Sequence, residues 1–349
     1  MGLLLKAFFK EYIPVRLSLY CYSNGLRQDS LTEWYQKSAT AWRDITRISD
    51  IDAATLIRND KIDILVDLSG HTSRNRLHLF RQRPAPVQVT WMGFGHTTGL
   101  DSIDYIIADN DFIRPQDEQW FSEQAIRLPV NRFCFVPPVP CPEVVDPPLY
   151  DNGYITFGSF NNPLKISEQV VAVWAQILLQ VPRSRLVLKY ITFGDSIVRK
   201  RYQDLFAMHG IARSRIEFRK PSISFLMMVE YGDIDIALDP FPFTGGMTSL
   251  FSLWMGVPII SLTGEMPISR QTKSFLDLVG LSDLVAHTYD EYVKKALALA
   301  NNLERLSCIR ETLRQSMLES PLCDAKKYSS DVCNLFFKMW DDKRIKLAQ

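Results

Sequence analysis

Charge of one dominant sign is missing from this chain: 40 lysines and arginines stand against 39 aspartates and glutamates, a formal net charge of +1 over 349 residues. A protein whose main partner is nucleic acid needs a broad basic face, so that partner class is not expected, and clusters such as Arg199-Lys200-Arg201 read as solvated helix surface. The six cysteines, Cys21, Cys134, Cys141, Cys308, Cys323 and Cys333, show no C-x-x-C spacing and no disulfide framework, which favours a reducing compartment. Membrane-spanning length is also lacking, because the longest apolar run, Leu250 to Leu262, is broken by Gly256 and Pro258. Met1 to Lys6 is too short for a signal peptide, and Lys6 stands where a myristoylation signal needs Ser or Thr. A cytoplasmic location without a membrane partner is the expectation. The chain contains no H-E-x-x-H, G-x-S-x-G, P-loop or kinase signature, which removes the corresponding hydrolase and kinase readings.

What is present is an ordinary globular composition, 46% hydrophobic and 23% charged, long enough for two domains with full cores. A helix is expected from Leu3 to Tyr12, an alternating strand from Val15 to Tyr22, helices from Ser30 to Lys37 and Asp50 to Arg58, and a buried strand from Ile62 to Leu68 that ends in Gly70-His71-Thr72. Further strands follow at Val87 to Met92, Asp104 to Ala108 and Ala125 to Pro129. Residues 136–150 turn proline-rich, Pro137-Pro138-Val139-Pro140-Cys141-Pro142 and then Pro147-Pro148, and read as a linker. A second series of alternating strands and helices starts at Tyr154 and closes in a helical tail from Asp290 to Asp342. The domains expected are 1–135, 151–325 and a terminal helix over 326–349. Alternation of this kind gives α/β domains with mostly parallel sheets covered on both faces, whose ligands bind beyond the carboxyl ends of the strands.

The most informative stretch is Asp239 to Pro258, which reads as a strand end, a proline-punctuated turn, the pair Gly245-Gly246, and a helix running to Met255. The glycines let backbone approach a ligand, and the first helical turn, with Met247 and Thr248, offers unpaired N–H groups and a partial positive charge to a phosphate. A glycine turn between strand and helix also occurs with no ligand at all. Lys165, in Asn161-Asn162-Pro163-Leu164-Lys165 after a strand, is placed to bring an ammonium to the same anion, though a loop lysine is as readily just solvated. His71 and His96 each read as a base, a hydrogen-bond donor or a structural histidine. Gly93, Gly95 and Gly99 miss the dinucleotide fingerprint by one residue, and Asp109-Asn110-Asp111 is a weak metal signal.

Taken together, several segments resemble the SPINDLY and O-GlcNAc transferase family. They are Asp63 to Thr72, Arg83 to Trp91, Phe157-Gly158-Ser159-Phe160-Asn161-Asn162 with Lys165, the block from Gly245 to Pro258, and Ser320-Pro321-Leu322-Cys323 with the helix to Trp340. They run over nearly the whole chain in the family's order. The resemblance implies a GT-B fold of two Rossmann-like domains with the nucleotide-sugar donor held mainly by the second. It also implies metal-independent, inverting transfer of a sugar to Ser or Thr hydroxyls of proteins. On this basis Lys165 is the cation for the leaving pyrophosphate and Asn162 falls at a donor-contacting position. Gly245, Gly246, Met247 and Thr248 form the phosphate-binding helix start, Met92 and Gly93 line the sugar, and His71 is the strand-end histidine near the reaction centre.

There are departures from the family pattern. Met1 falls just after the first strand and its His-Pro loop; Ser224 and Met227 stand where a lysine and a base-contacting histidine are usual, and Phe251 replaces a ribose-gripping acid. The helical-repeat array that presents protein acceptors is not in this sequence, so a separate repeat-containing chain is a candidate partner. The resulting expectation is a glycosyltransferase that uses UDP-GlcNAc, takes a protein or peptide acceptor and needs no cofactor or metal. Its alternatives are a GDP-fucose-dependent enzyme and a catalytically impaired relative acting as a binding or assembly subunit.

Overall fold

The computed structural model describes residues 2–13, 16–26 and 28–348, with side chains to residue 345. The chain divides into two compact units, one made of residues 1–136 with 321–349 and the other of residues 137–320.

In the first unit, β1 (Tyr20–Ser23) and β2 (Ala41–Asp44) form a parallel pair, while β3 (Ile64–Asp67), β4 (Val87–Trp91), β5 (Tyr105–Ala108) and β6 (Gln124–Arg127) form a parallel sheet in that order. Every residue of β4 and β5 is buried, as expected of parallel strands covered on both faces. Helix Asp50–Asn59 is started by Ser49, whose Oγ accepts from the N–H of Asp52 at 3.1 Å, and it buries Ala53, Ala54 and Ile57. The predicted strand at Val15 to Tyr22 begins later, at Tyr20, and Val15 lies outside the described residues.

The tail departs from its expectation in two ways. It is three helices, Tyr289–Ala300, Leu303–Glu319 and Ala325–Ala348, interrupted where Asn302 caps the second helix and where Ser320-Pro321 ends it. The last helix also joins the first unit, because Phe336 packs edge-on against Phe8 at 5.9 Å and Tyr328 donates to the carbonyl of Arg132 at 2.7 Å. The boundary therefore falls at 320/321 instead of 325/326.

The second unit contains β7 (Thr156–Ser159), β8 (Arg185–Lys189), β9 (Ile216–Arg219), β10 (Ile236–Leu238), β11 (Ile259–Leu262) and β12 (Val285–Ala286), all parallel, in the spatial order 9-8-7-10-11-12. That is the doubly wound order, and β7 and β10 pair at the point where the winding reverses, Ile236 opposite Phe157 and Ala237 opposite Gly158. Loops leaving these two strands on the carboxyl side open a crevice that helices cannot fill, which is where such sheets take ligands.

Candidate active site

The loops after β7 and β10 carry the candidate residues of the second unit. After β7, Asn162 accepts the N–H of Leu164 at 3.1 Å and Pro163 fixes the first backbone angle of the short turn Pro163–Lys165. Tyr202 anchors that turn, donating to the carbonyls of Pro163 at 2.6 Å and Ile166 at 3.1 Å. Lys165 is thereby aimed at the other loop, where its Nζ donates to the carbonyl of Thr244 at 2.8 Å and lies 3.9 Å from the ring centre of Phe243. Loss of hydration pulls the Lys165 ammonium down to about 8, with Asp239 acting in the opposite direction.

After β10 the chain turns back into helix Met247–Trp254. Asp239, 2% exposed, accepts the Gly245 N–H at 2.7 Å and the Ser261 hydroxyl at 2.8 Å; burial raises its carboxyl to about 6 against these donors. The carbonyl of Gly245 in turn accepts Gln271 Nε2 at 2.7 Å and Thr272 Oγ1 at 3.2 Å. A Cβ at 245 would stand 2.1 Å from Ser249 Oγ and 3.1 Å from an Asp239 oxygen, so glycine lets the loop pass without displacing these side chains. No side chain caps this helix at Gly246, and an uncapped helix start has amides able to take an anion. Thr248 donates to Asn161 Oδ1 at 3.0 Å and its carbonyl accepts the Tyr231 hydroxyl at 2.9 Å. A small recess lined by Gly158, Phe160, Asn161, Tyr231, Asp239 and Thr248 among others lies beside this loop.

The structure thus brings Asn162, Lys165, Gly245, Gly246, Met247 and Thr248 into one unit, while His71, Met92 and Gly93 belong to the other. In the first unit His71 Nε2 lies 2.9 Å from the carbonyl of Thr98. A carbonyl only accepts, so Nε2 carries a proton, and in the neutral ring Nδ1 is the nitrogen left to take one. Thr98 is held by the buried Glu123, which accepts its N–H at 2.7 Å and its hydroxyl, and also the Thr97 hydroxyl at 2.7 Å. Met92 adopts a positive φ of 73°, and a Cβ on Gly93 would sit 2.0 Å from the carbonyl oxygen of Leu68. Gly93 therefore makes room for the chain's own backbone, which accounts for it without a dinucleotide. Asp109 spends its carboxylate on the N–H groups of Phe112 at 2.7 Å and Arg132 at 2.8 Å, and His96 stacks on Phe121 at 4.8 Å.

Sequence reasoning assigned no role to Asp239, Asn161, Gln271, Thr272 or Glu123. For Asp239 there was a signal: an acid at the end of an otherwise apolar strand, six residues before a glycine pair whose amides need an acceptor. Phe251, where the resemblance leads one to expect an acid, is 4% exposed within helix Met247–Trp254. Ser224 and Met227 lie in helix Ser224–Glu230, which exposes Phe225, Leu226 and Val229. No described helix is long and apolar enough to cross a membrane.

Residues 8–134 and 149–332 match the family model described as glycosyl transferase family 41. SPINDLY of Solanum lycopersicum, named as a probable UDP-N-acetylglucosamine–peptide N-acetylglucosaminyltransferase, is 39% identical over 91% of this chain and 35% of its own length. SEC of Arabidopsis thaliana, which carries the same activity in its name, is 31% identical over 97% of this chain and 35% of its own length. The structure of a mutant O-GlcNAc transferase from Thermobaculum terrenum superposes with a TM-score of 0.93 at 35% identity, covering 98% of this chain and 65% of that one. The chain spans about a third of the length of the curated relatives it matches.

Proposed function

This chain belongs to glycosyl transferase family 41, and from that membership we propose that it is a protein O-glycosyltransferase of GT-B architecture. In this reading it transfers GlcNAc from UDP-GlcNAc to Ser or Thr hydroxyls of a protein or peptide. The observation that carries the reading is the meeting of Lys165 with the loop that starts helix Met247–Trp254 at the winding reversal of the second sheet.

When the bond between sugar and diphosphate breaks, negative charge grows on the departing phosphate oxygens. A half-buried ammonium and the open amides at a helix start stabilise that charge more than they stabilise the intact donor, which is how positioned dipoles accelerate group transfer. Lys165 has the ammonium for this task, and Gly245, Gly246, Met247 and Thr248 supply the backbone. These groups do the work a divalent cation would otherwise do, so the reaction is proposed to need no metal. Asn162 shapes the turn that aims Lys165, and Met92 and Gly93 are assigned to the sugar. His71, with Nδ1 as its proton-accepting nitrogen, is assigned to the acceptor hydroxyl. A cytoplasmic location and delivery of acceptors by a repeat-containing partner complete the proposal.

The test is calorimetric titration with UDP, GDP and UDP-GlcNAc, followed by transfer to peptides in the presence of EDTA. Micromolar binding of one nucleotide that disappears in Lys165→Ala, with EDTA-resistant transfer, is the expected result. Preference for GDP moves the donor to GDP-fucose. No binding at millimolar ligand eliminates the enzyme reading. One observation favours a second reading in which the chain keeps the fold as a binding or assembly subunit: Phe251 puts a buried phenyl ring where the family resemblance places a ribose-gripping acid.

A further inference from the structure

We propose that Asp239 is a positioning residue for the donor's diphosphate, fixing the Gly245 amide that turns the chain into helix Met247–Trp254 and keeping a counter-charge beside the Lys165 ammonium. The inference rests on the donor site proposed above and goes beyond it, because Asp239 makes no contact of its own with a ligand in this assignment.

The geometry is that of a clamp. The Asp239 carboxylate takes the Gly245 N–H at 2.7 Å on one oxygen and the Ser261 hydroxyl, from the neighbouring strand β11, at 2.8 Å on the other. Its main chain is equally tied, with its N–H donating to the carbonyl of Ile260 at 3.0 Å and its carbonyl accepting the Tyr292 hydroxyl at 3.0 Å. Gln271 and Thr272 hold the carbonyl of Gly245, which belongs to the next peptide. One residue earlier, Thr244 donates from its hydroxyl to the carbonyl of Ile268 at 2.7 Å and receives Lys165 on its own carbonyl. The loop therefore enters the helix with its two preceding peptides fixed, so that orientation is set before any anion arrives.

The second part of the role is electrostatic. Lys165 and Asp239 hold the two ends of one peptide group, the carbonyl of Thr244 and the N–H of Gly245; the other titratable groups that act on Asp239 are Tyr231 and Tyr292, and burial holds both phenols far above their usual range, so they stay neutral. Asp239 is thus the charge that opposes the desolvation of Lys165. If it is neutralised, the lysine loses its proton more readily and the site loses its cation.

Asp239→Asn separates these effects from folding. An asparagine oxygen still accepts the Gly245 N–H and its amide donates to Ser261, so the clamp survives while the charge goes. The Lys165 resonance in the 13Cε-lysine-labelled full chain, identified by its loss in Lys165→Met, should titrate near pH 8 and move down by on the order of one pH unit in Asp239→Asn. Gln271→Leu, which removes one of the two donors to the Gly245 carbonyl without changing charge, should leave that midpoint in place. UDP-GlcNAc, whose phosphates do not titrate in this range, is the binding probe. Its affinity at pH 7.5 should fall about threefold in Asp239→Asn, and the alkaline limb of its pH profile should shift to lower pH. An unmoved Lys165 midpoint, or an affinity loss equal at every pH, would overturn the proposal and leave Asp239 a purely structural residue. Failure of the unaltered chain to bind UDP-GlcNAc would sink the donor reading, while the lysine titration, which needs no donor, still decides the pairing of Asp239 with Lys165.

Discussion

Lys165 and Thr244 are 79 positions apart in the chain, yet the Nζ of the first donates to the carbonyl of the second at 2.8 Å. The ammonium is thus presented at the peptide that precedes Gly245, one step from the helix start where a phosphate would sit.

Removing that ammonium should affect chemistry far more than folding. Lys165→Ala is expected to lower kcat for sugar transfer by on the order of 10²- to 10³-fold and to weaken UDP binding, with a thermal midpoint at least equal to that of the unaltered chain. The stability part follows from the cost of keeping a cation poorly hydrated, which the substitution relieves. Steady-state kinetics together with a melting curve check both halves.

The pH dependence has a definite sign. Lys165 titrates near 8 in the folded chain, below the ordinary lysine value. Donor affinity should hold below pH 8 and fall as pH rises through it, because the binding form is the ammonium. Stability should run the other way: between about 8 and the ordinary lysine value near 10.4 the unfolded chain holds more protons at this residue, so its contribution becomes more favourable as pH rises. Urea melts at pH 7 and 9.5, compared between the unaltered chain and Lys165→Met, would isolate this term.

Two glycines should respond differently to alanine. At Gly93 the new Cβ meets the backbone oxygen of Leu68 at 2.0 Å, which no rotamer relieves, so Gly93→Ala is expected to destabilise the first unit by roughly 2–4 kcal/mol. At Gly245 two of the three close atoms are the hydroxyl ends of Ser249 and Thr248, which can rotate. Gly245→Ala should therefore cost less stability but displace the Asp239 clamp and reduce nucleotide affinity. Urea unfolding followed by calorimetry on the same two proteins distinguishes these outcomes.

Arg310 supports the second unit from beneath. It is 2% exposed and donates to the carbonyls of Val145 at 2.9 Å, Ile234 at 2.9 Å and Gly232 at 3.0 Å, tying the proline-rich linker to the approach of β10. Arg310→Met fills much of the same volume and leaves these acceptors unpaired, which should cost about 3 kcal/mol in urea unfolding.

Much of this architecture was legible locally. The sequence places helices at Ser167 to Leu179 and Asp195 to His209, and the structure has them at Glu168–Gln180 and Ser196–Met208, since apolar period and the capping residues Ser167 and Asp195 are both written in the adjacent sequence. Strand β2 was not anticipated because its four residues are half-exposed and show no alternation, and β12 is only two residues long. Helix Ser224–Glu230 was missed for a related reason, with only Met228 buried and no side-chain cap.

The sequence by itself determined the α/β class, the family, and the residue types that can hold a phosphate, because strand and helix periods, glycine pairs and extended motifs are properties of neighbouring residues. Only the tertiary structure decided that the last helix belongs with the first unit, that β10 lies beside β7, and that Asp239 and Lys165 hold the two ends of the Thr244–Gly245 peptide. These are pairings between distant segments, chosen by which buried surfaces and unsatisfied peptide groups best complete one another, and no local pattern encodes that choice.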